Sequence, residues 1–243
     1  MFSINNSEKI DLSYKKVAGV AKESNVVNNN VNLSSSQNLN QIIADAQGHL
    51  QNSSNLDVIN ISMGSAISTS GKSVAEVMTQ SEQSPIPTVN AVVIAAAGDG
   101  GAACATQDLN GCNAVAVAMA YQQSTKNTAI IVGALSGSGS NENIATYSTR
   151  AGILADRFVL ASGDAGEVGI SGTSFAAARV AGIAAIIKQK YPSLNSMQIA
   201  NVILLSATRD INNSGSDTFS GVSQIYGRGK ASLSRALSLA GAL

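Results

Sequence analysis

Gly172-Thr173-Ser174-Phe175-Ala176-Ala177, followed by Arg179-Val180-Ala181-Gly182 and an apolar run to Lys190, is the stretch on which the reading of the chain turns. Val180, Ile183, Ala184 and Ile187 recur at helical spacing, so 174–191 reads as a helix. Its small residues let it pack deep in a domain, and Pro192 ends it. A serine between small residues at the mouth of such a helix is open to close approach by another chain. Its hydroxyl lies beside backbone N–H groups that the first helical turn leaves unpaired. Taken alone, Ser174 reads better as a helix N-cap, which needs no chemistry, than as a nucleophile.

Outward from this helix, short apolar runs alternate with helical patterns. Strands are expected at 57–62, at 91–97 (closed by Gly98-Asp99-Gly100-Gly101), at 129–134 and at 157–161. Their apolarity is continuous rather than alternating, which implies that both faces are covered. Helices are expected at 38–50, with Leu39, Ile42, Ile43 and Ala46 on one face, and more weakly at 71–81. Two more are expected at 196–207 and 230–239, and 212–223 reads as a polar loop. The pattern implies an α/β fold with a mostly parallel sheet between helices. No repeat or linker interrupts it, so 1–243 reads as one domain.

Composition narrows the partners. Lys+Arg and Asp+Glu both number 15, so the net charge is zero and nothing attracts nucleic acid or an anionic membrane. No apolar run approaches the roughly 20 residues that span a bilayer. The first residues are polar (Asn5, Asn6, Ser7, Glu8, Lys9) and do not form a signal peptide, although secretion from a longer precursor is compatible with them. Cys104 and Cys112 share a loop rich in Gly, Ala and Asn, and spacing alone leaves open a local disulfide or two free thiols. No further Cys or well-placed His completes a metal site, so neither metal nor cofactor is expected.

Five segments, in order, resemble the subtilisin-like serine peptidases. They are Gly19-Val20-Ala21, Asp57 to Gly64 (DVINISMG), Ala95-Ala96-Ala97-Gly98-Asp99, Gly172-Thr173-Ser174 and Tyr226-Gly227-Arg228-Gly229. Any one is weak evidence, whereas five in register carry weight. The stretch from Ile186 to Pro192 is similar to the peptidase passengers of bacterial autotransporters. The resemblance implies a three-layer fold, a polypeptide substrate and Ser174 as nucleophile. It also implies that Ser62, Met63 and Gly64 form one wall of the substrate cleft, and Ala96, Ala97 and Gly98 the other. Asp99 falls where the family carries an oxyanion-hole Asn. A carboxylate there repels developing negative charge, and only its protonated form donates.

The family orders its triad Asp, His, Ser, with the first two ahead of the Gly-Val-Ala turn. Only 18 residues precede Gly19, none of them His, and the chain's one histidine is His49. His49 falls near the end of the helix expected at 38–50, where a surface or capping role is expected. Asp11 follows Ile10 as on a strand end, but no helix bearing a His fits between it and Gly19. Glu8 and Asp11 are three apart, yet alignment on the turn puts Lys9 and Ser13 at the positions that a carboxyl-type (sedolisin) peptidase needs. The expectation is therefore an incomplete subtilisin-like domain lacking the first strand and the His helix. Such a chain is a serine endopeptidase with little activity by itself, awaiting an N-terminal segment or complementing chain, or else a non-catalytic peptide-binding module. A secreted, cell-surface or periplasmic location is expected.

Overall fold

Val, Ile and Ala fill the segments that become strands, where β-branched side chains pack well on a pleated surface. In the computed structural model, residues 56–62, 71–82, 89–105, 109, 111–166, 169–211 and 222–243 are described. β1 (Val58–Ile61), β2 (Val92–Ala96), β3 (Ala129–Ser136), β4 (Asn143–Ile144) and β5 (Phe158–Ser162) form one sheet. β1, β2, β3 and β5 lie side by side in that order, all parallel. β4 is a two-residue strand antiparallel to the end of β3.

Among the described residues, five α-helices cover this sheet: α1 (Val74–Glu82), α2 (Ala114–Tyr121), α3 (Thr173–Lys190), α4 (Ser196–Leu205) and α5 (Leu233–Ala240). Side chains alternate across β2. Val93 and Ala95 join the core that holds Val77 of α1 and Val115 to Met119 of α2. Val92, Ile94 and Ala96 join the opposite core with Ala176, Val180 and Ile187 of α3, plus Ile199, Ile203 and Ala236. The three-layer α/β architecture expected from the sequence is the observed one.

The differences are local. Asn195 and Gln198 cap α4 reciprocally, and its last helical residue is Leu205 rather than residue 207. The last helix starts at Leu233, not 230, because Lys230 is drawn into β-type bridges with Leu160 and Thr208. α2 was not foreseen. Its sequence AVAVAMAY alternates as a strand does, and burial on all sides leaves no amphipathic stripe to betray a helix. Asn113 decides the matter, capping the helix through a bond from Val115 N–H. Cys104 and Cys112 are joined as a disulfide, which the sequence had left open. No described helix is long and apolar enough to cross a membrane. The Gly19-Val20-Ala21 turn, Asp11, the helix expected at 38–50 with His49, Met63, Gly64 and most of the 212–223 loop lie outside the described residues.

Candidate functional site

Parallel strands bring their carboxyl ends to one edge of the sheet, where α/β folds hold their ligands. The start of α3 meets that edge. Ser62, just after β1, and Ser174 bond reciprocally. Ser174 Oγ donates to the Ser62 carbonyl at 3.2 Å, and Ser62 Oγ donates to the Ser174 carbonyl at 3.0 Å. Asn60 Nδ2 adds a bond to Ser62 Oγ at 2.8 Å, fixing that hydroxyl's orientation.

The segment after β2 docks on the same helical turn. Asp99 Oδ1 accepts from the Thr173 N–H at 2.9 Å, and Thr173 Oγ1 accepts from the Gly98 N–H at 3.2 Å. A negative group suits this position, because helix N-termini carry unpaired N–H groups and a partial positive charge. Oδ2 of Asp99 lies over Gly172, 3.4 Å from where a Cβ would stand. Among the described residues, no backbone hydrogen bond engages the Ser174 N–H.

Ser174, Asp99, Ser62 and Gly98 thus come together. Ala96 and Ala97 lie beneath them, fully buried. The Ala96 carbonyl accepts from Asn113 Nδ2, and Ala97 bonds through its N–H to Val132 and through its carbonyl to Asn113. Of that trio only Gly98 reaches the surface. Among the described residues, the one group bonded to Ser174 Oγ is the Ser62 carbonyl, which accepts a hydrogen bond but is no base at neutral pH. Also among the described residues, no three His, Cys, Asp or Glu side chains gather as a metal site would require.

Residues not singled out from the sequence build the support. Asn113 ties the foot of the Gly98–Cys112 loop to β2. The Cys104–Cys112 disulfide crosses that loop, and Gly100 packs so closely on the Gly111 backbone that it leaves no room for a side chain, while Gly111 holds a positive φ of 76° that favours glycine. Thr149, completely buried, bonds to both legs of the loop. An Asn before a small-residue run is a readable cap signal, but nothing in sequence marks a distant Thr as a partner.

Tyr147 lies behind the strap leading to Ser174. Its hydroxyl occupies the space that a Gly163 side chain would need, close to the Gly172 carbonyl. That hydroxyl is shut off from solvent and makes no hydrogen bond of good geometry. Burial pushes its ionisation above the usual tyrosine range, reinforced by Asp99 and Asp164 and partly offset by the neighbouring Ser171 and Gly172. A raised ionisation means that the unfolded chain loses its phenolic proton first. The contribution of Tyr147 is therefore intact below pH 10.0 and is lost as pH rises through the folded-state value. Tyr147→Phe is expected to leave stability unchanged, or raise it by up to about 1 kcal/mol, at neutral pH, since an unpartnered hydroxyl is removed. It is also expected to soften the fall in stability above pH 10.0, as read by urea unfolding at both pH values.

Comparison with known proteins agrees with this fold. The model of the subtilase family matches residues 2–229. Mycosin-1 of Mycolicibacterium smegmatis (strain ATCC 700084 / mc(2)155) is 49% identical over 45 residues, 18% of this chain and 10% of that protein. The match to this curated relative thus spans about a tenth of its length. Among solved structures, the prenylagaramide maturation protease PagA is similar with a TM-score of 0.57 and 20% identity, over 88% of this chain and 70% of that one. The self-cleaved protease domain of PatA gives 0.55 and 19%, over 82% of this chain and 68% of that one. The subtilase cytotoxin assembly SubAB gives 0.54 and 20%, over 81% and 64%. At these identities the structures show a shared fold.

Proposed function

The chain belongs to the subtilase family, and we propose that it is a serine endopeptidase domain in which Ser174 attacks the peptide carbonyl of a polypeptide substrate. The observation that carries this reading is the convergence of the β1 and β2 ends on Ser174 at the start of α3. Oγ forms the bond to the carbonyl carbon, its proton passes to a base, and the carbonyl oxygen gains charge beside the Ser174 N–H and the α3 dipole. The C–N bond then breaks as the amine takes up a proton. An extended substrate runs between the Ser62 side and the Gly98 side above Ala96 and Ala97.

The base is the weak link. None of the described residues is a histidine, and His49 is not assigned that role. The reaction needs a general base from outside the described residues, and without one it is slow. The disulfide supports an oxidising compartment, hence a secreted, surface or periplasmic protein. A second reading, a non-catalytic peptide-binding module, is favoured by the Ser174 hydroxyl being turned onto the Ser62 carbonyl.

Labelling of the purified chain with a fluorophosphonate, with Ser174→Ala as control, tests the proposal. The expected result is slow, Ser174-dependent labelling, about six orders of magnitude below that of a serine hydrolase with its histidine in place. Rapid Ser174-dependent labelling at neutral pH would mean that a base is present in this chain. No Ser174-dependent labelling, together with retained binding of extended peptides, would favour the binding module.

A further inference from the structure

Asp99 is an exposed loop residue, yet the two peptide groups that flank it are held by one buried side chain and its backbone. The Thr149 N–H donates to the Gly98 carbonyl at 2.9 Å. Thr149 Oγ1 accepts from the Gly100 N–H at 3.4 Å and donates to the Gly111 carbonyl at 2.6 Å. A single threonine, 0% exposed, thus grips the chain on both sides of Asp99 and ties it to the far leg of the loop. The next turn is held from the same segment: Gly101 N–H bonds to the Tyr147 carbonyl at 2.8 Å, and the Arg150 guanidinium bonds to the Gly101 carbonyl.

From this arrangement we propose that Thr149 is a positioning residue for the site: it fixes where the Asp99 carboxylate stands against Thr173, and through Thr173 how the first turn of α3 presents Ser174. The inference rests on the reading that Asp99 faces the reacting peptide. The physical reason is local. A loop rich in glycine has little conformational preference of its own, so Asp99 acquires a defined direction only if its neighbours are anchored. Valine in place of Thr149 keeps the shape but leaves the Gly111 carbonyl and the Gly100 N–H without their partner. Serine keeps the hydroxyl.

Amide hydrogen exchange on the whole chain tests this without needing catalysis. The Thr173 N–H, bonded to Asp99, and the Gly100 N–H, bonded to Thr149, are the reporters. Thr149→Val is expected to speed exchange at both by about tenfold or more. Amides of β2 and β3 keep their rates, and Thr149→Ser returns the reporters to near wild-type values. In an Asp99→Ala background, Thr149→Val should add nothing further at Thr173. Unchanged exchange at Thr173, or acceleration spread evenly over the sheet, would overturn the proposal. If Thr149→Val does not fold, the wild-type chain decides: the Gly98, Gly100 and Thr173 amides should open together, and independent opening would refute a common clamp. Exchange that follows the expectation while fluorophosphonate labelling fails would leave the clamp standing and remove the hydrolase.

Discussion

Asp99→Asn is expected to accelerate Ser174-dependent attack on a fluorophosphonate or peptide by about 10²–10³-fold over the unmodified chain, the range associated with one oxyanion donor. The substitution is close to isosteric and keeps an oxygen to accept from the Thr173 N–H, so the docking of the loop on α3 survives. What changes is the second atom, the one over Gly172. There a carboxylate oxygen gives way to an NH₂ group, and a repulsive acceptor becomes a donor to the developing oxyanion. The lost interaction of a negative charge with the helix N-terminus costs at most about 1 kcal/mol at an exposed position, too little to mask such a gain. Asp99→Ala separates the two causes, since it removes the charge and offers no donor. If Asn is no faster than Asp, or if Ala is as fast as Asn, the assignment of Asp99 to the oxyanion side is wrong.

The layers of the molecule were legible because burial on both faces leaves a plain mark in sequence. Val92 to Ala96 and Ala129 to Leu135 are apolar throughout, and the structure buries each of them or its backbone neighbours in the two cores. The start of α3 was legible for a different reason, the run of small residues around Ser174 followed by helical periodicity. The buttress of the site was not. Thr149 lies about 50 positions from Gly98 and Gly100 and has no local signature, because its partners are peptide groups that every residue carries. The engagement of the Ala96 and Ala97 peptide groups was equally hidden, since it depends on Asn113 folding back from the cap of a helix whose alternating sequence mimics a strand. Sequence pattern reports which faces are apolar. It does not report which backbone groups a tertiary contact has already taken.

Phe158→Ala is expected to carry the largest stability loss, about 3–5 kcal/mol, enough to unfold a marginal domain at ordinary temperature. Phe158 opens β5, is 0% exposed and heads the largest fully buried side chains. Its ring lies against Gly133 in the centre of β3, where a Cβ would come within 2.5 Å of the ring's Cζ and 2.9 Å of Leu160 Cδ2. The neighbouring strand has thus given up a side chain to admit the ring. Removing the ring leaves a cavity that a glycine cannot fill. The converse change, Gly133→Ala, overpacks the same spot and should cost about 1–3 kcal/mol. The two faults are complementary, so the double variant with Phe158→Leu should lose less than the sum of its parts, by roughly 1 kcal/mol or more. Urea unfolding of the four chains in this cycle measures the coupling. Strict additivity would mean that β3 shifts away from β5 to relieve either change alone, and that the close approach at Gly133 does not set the register between the strand and the ring.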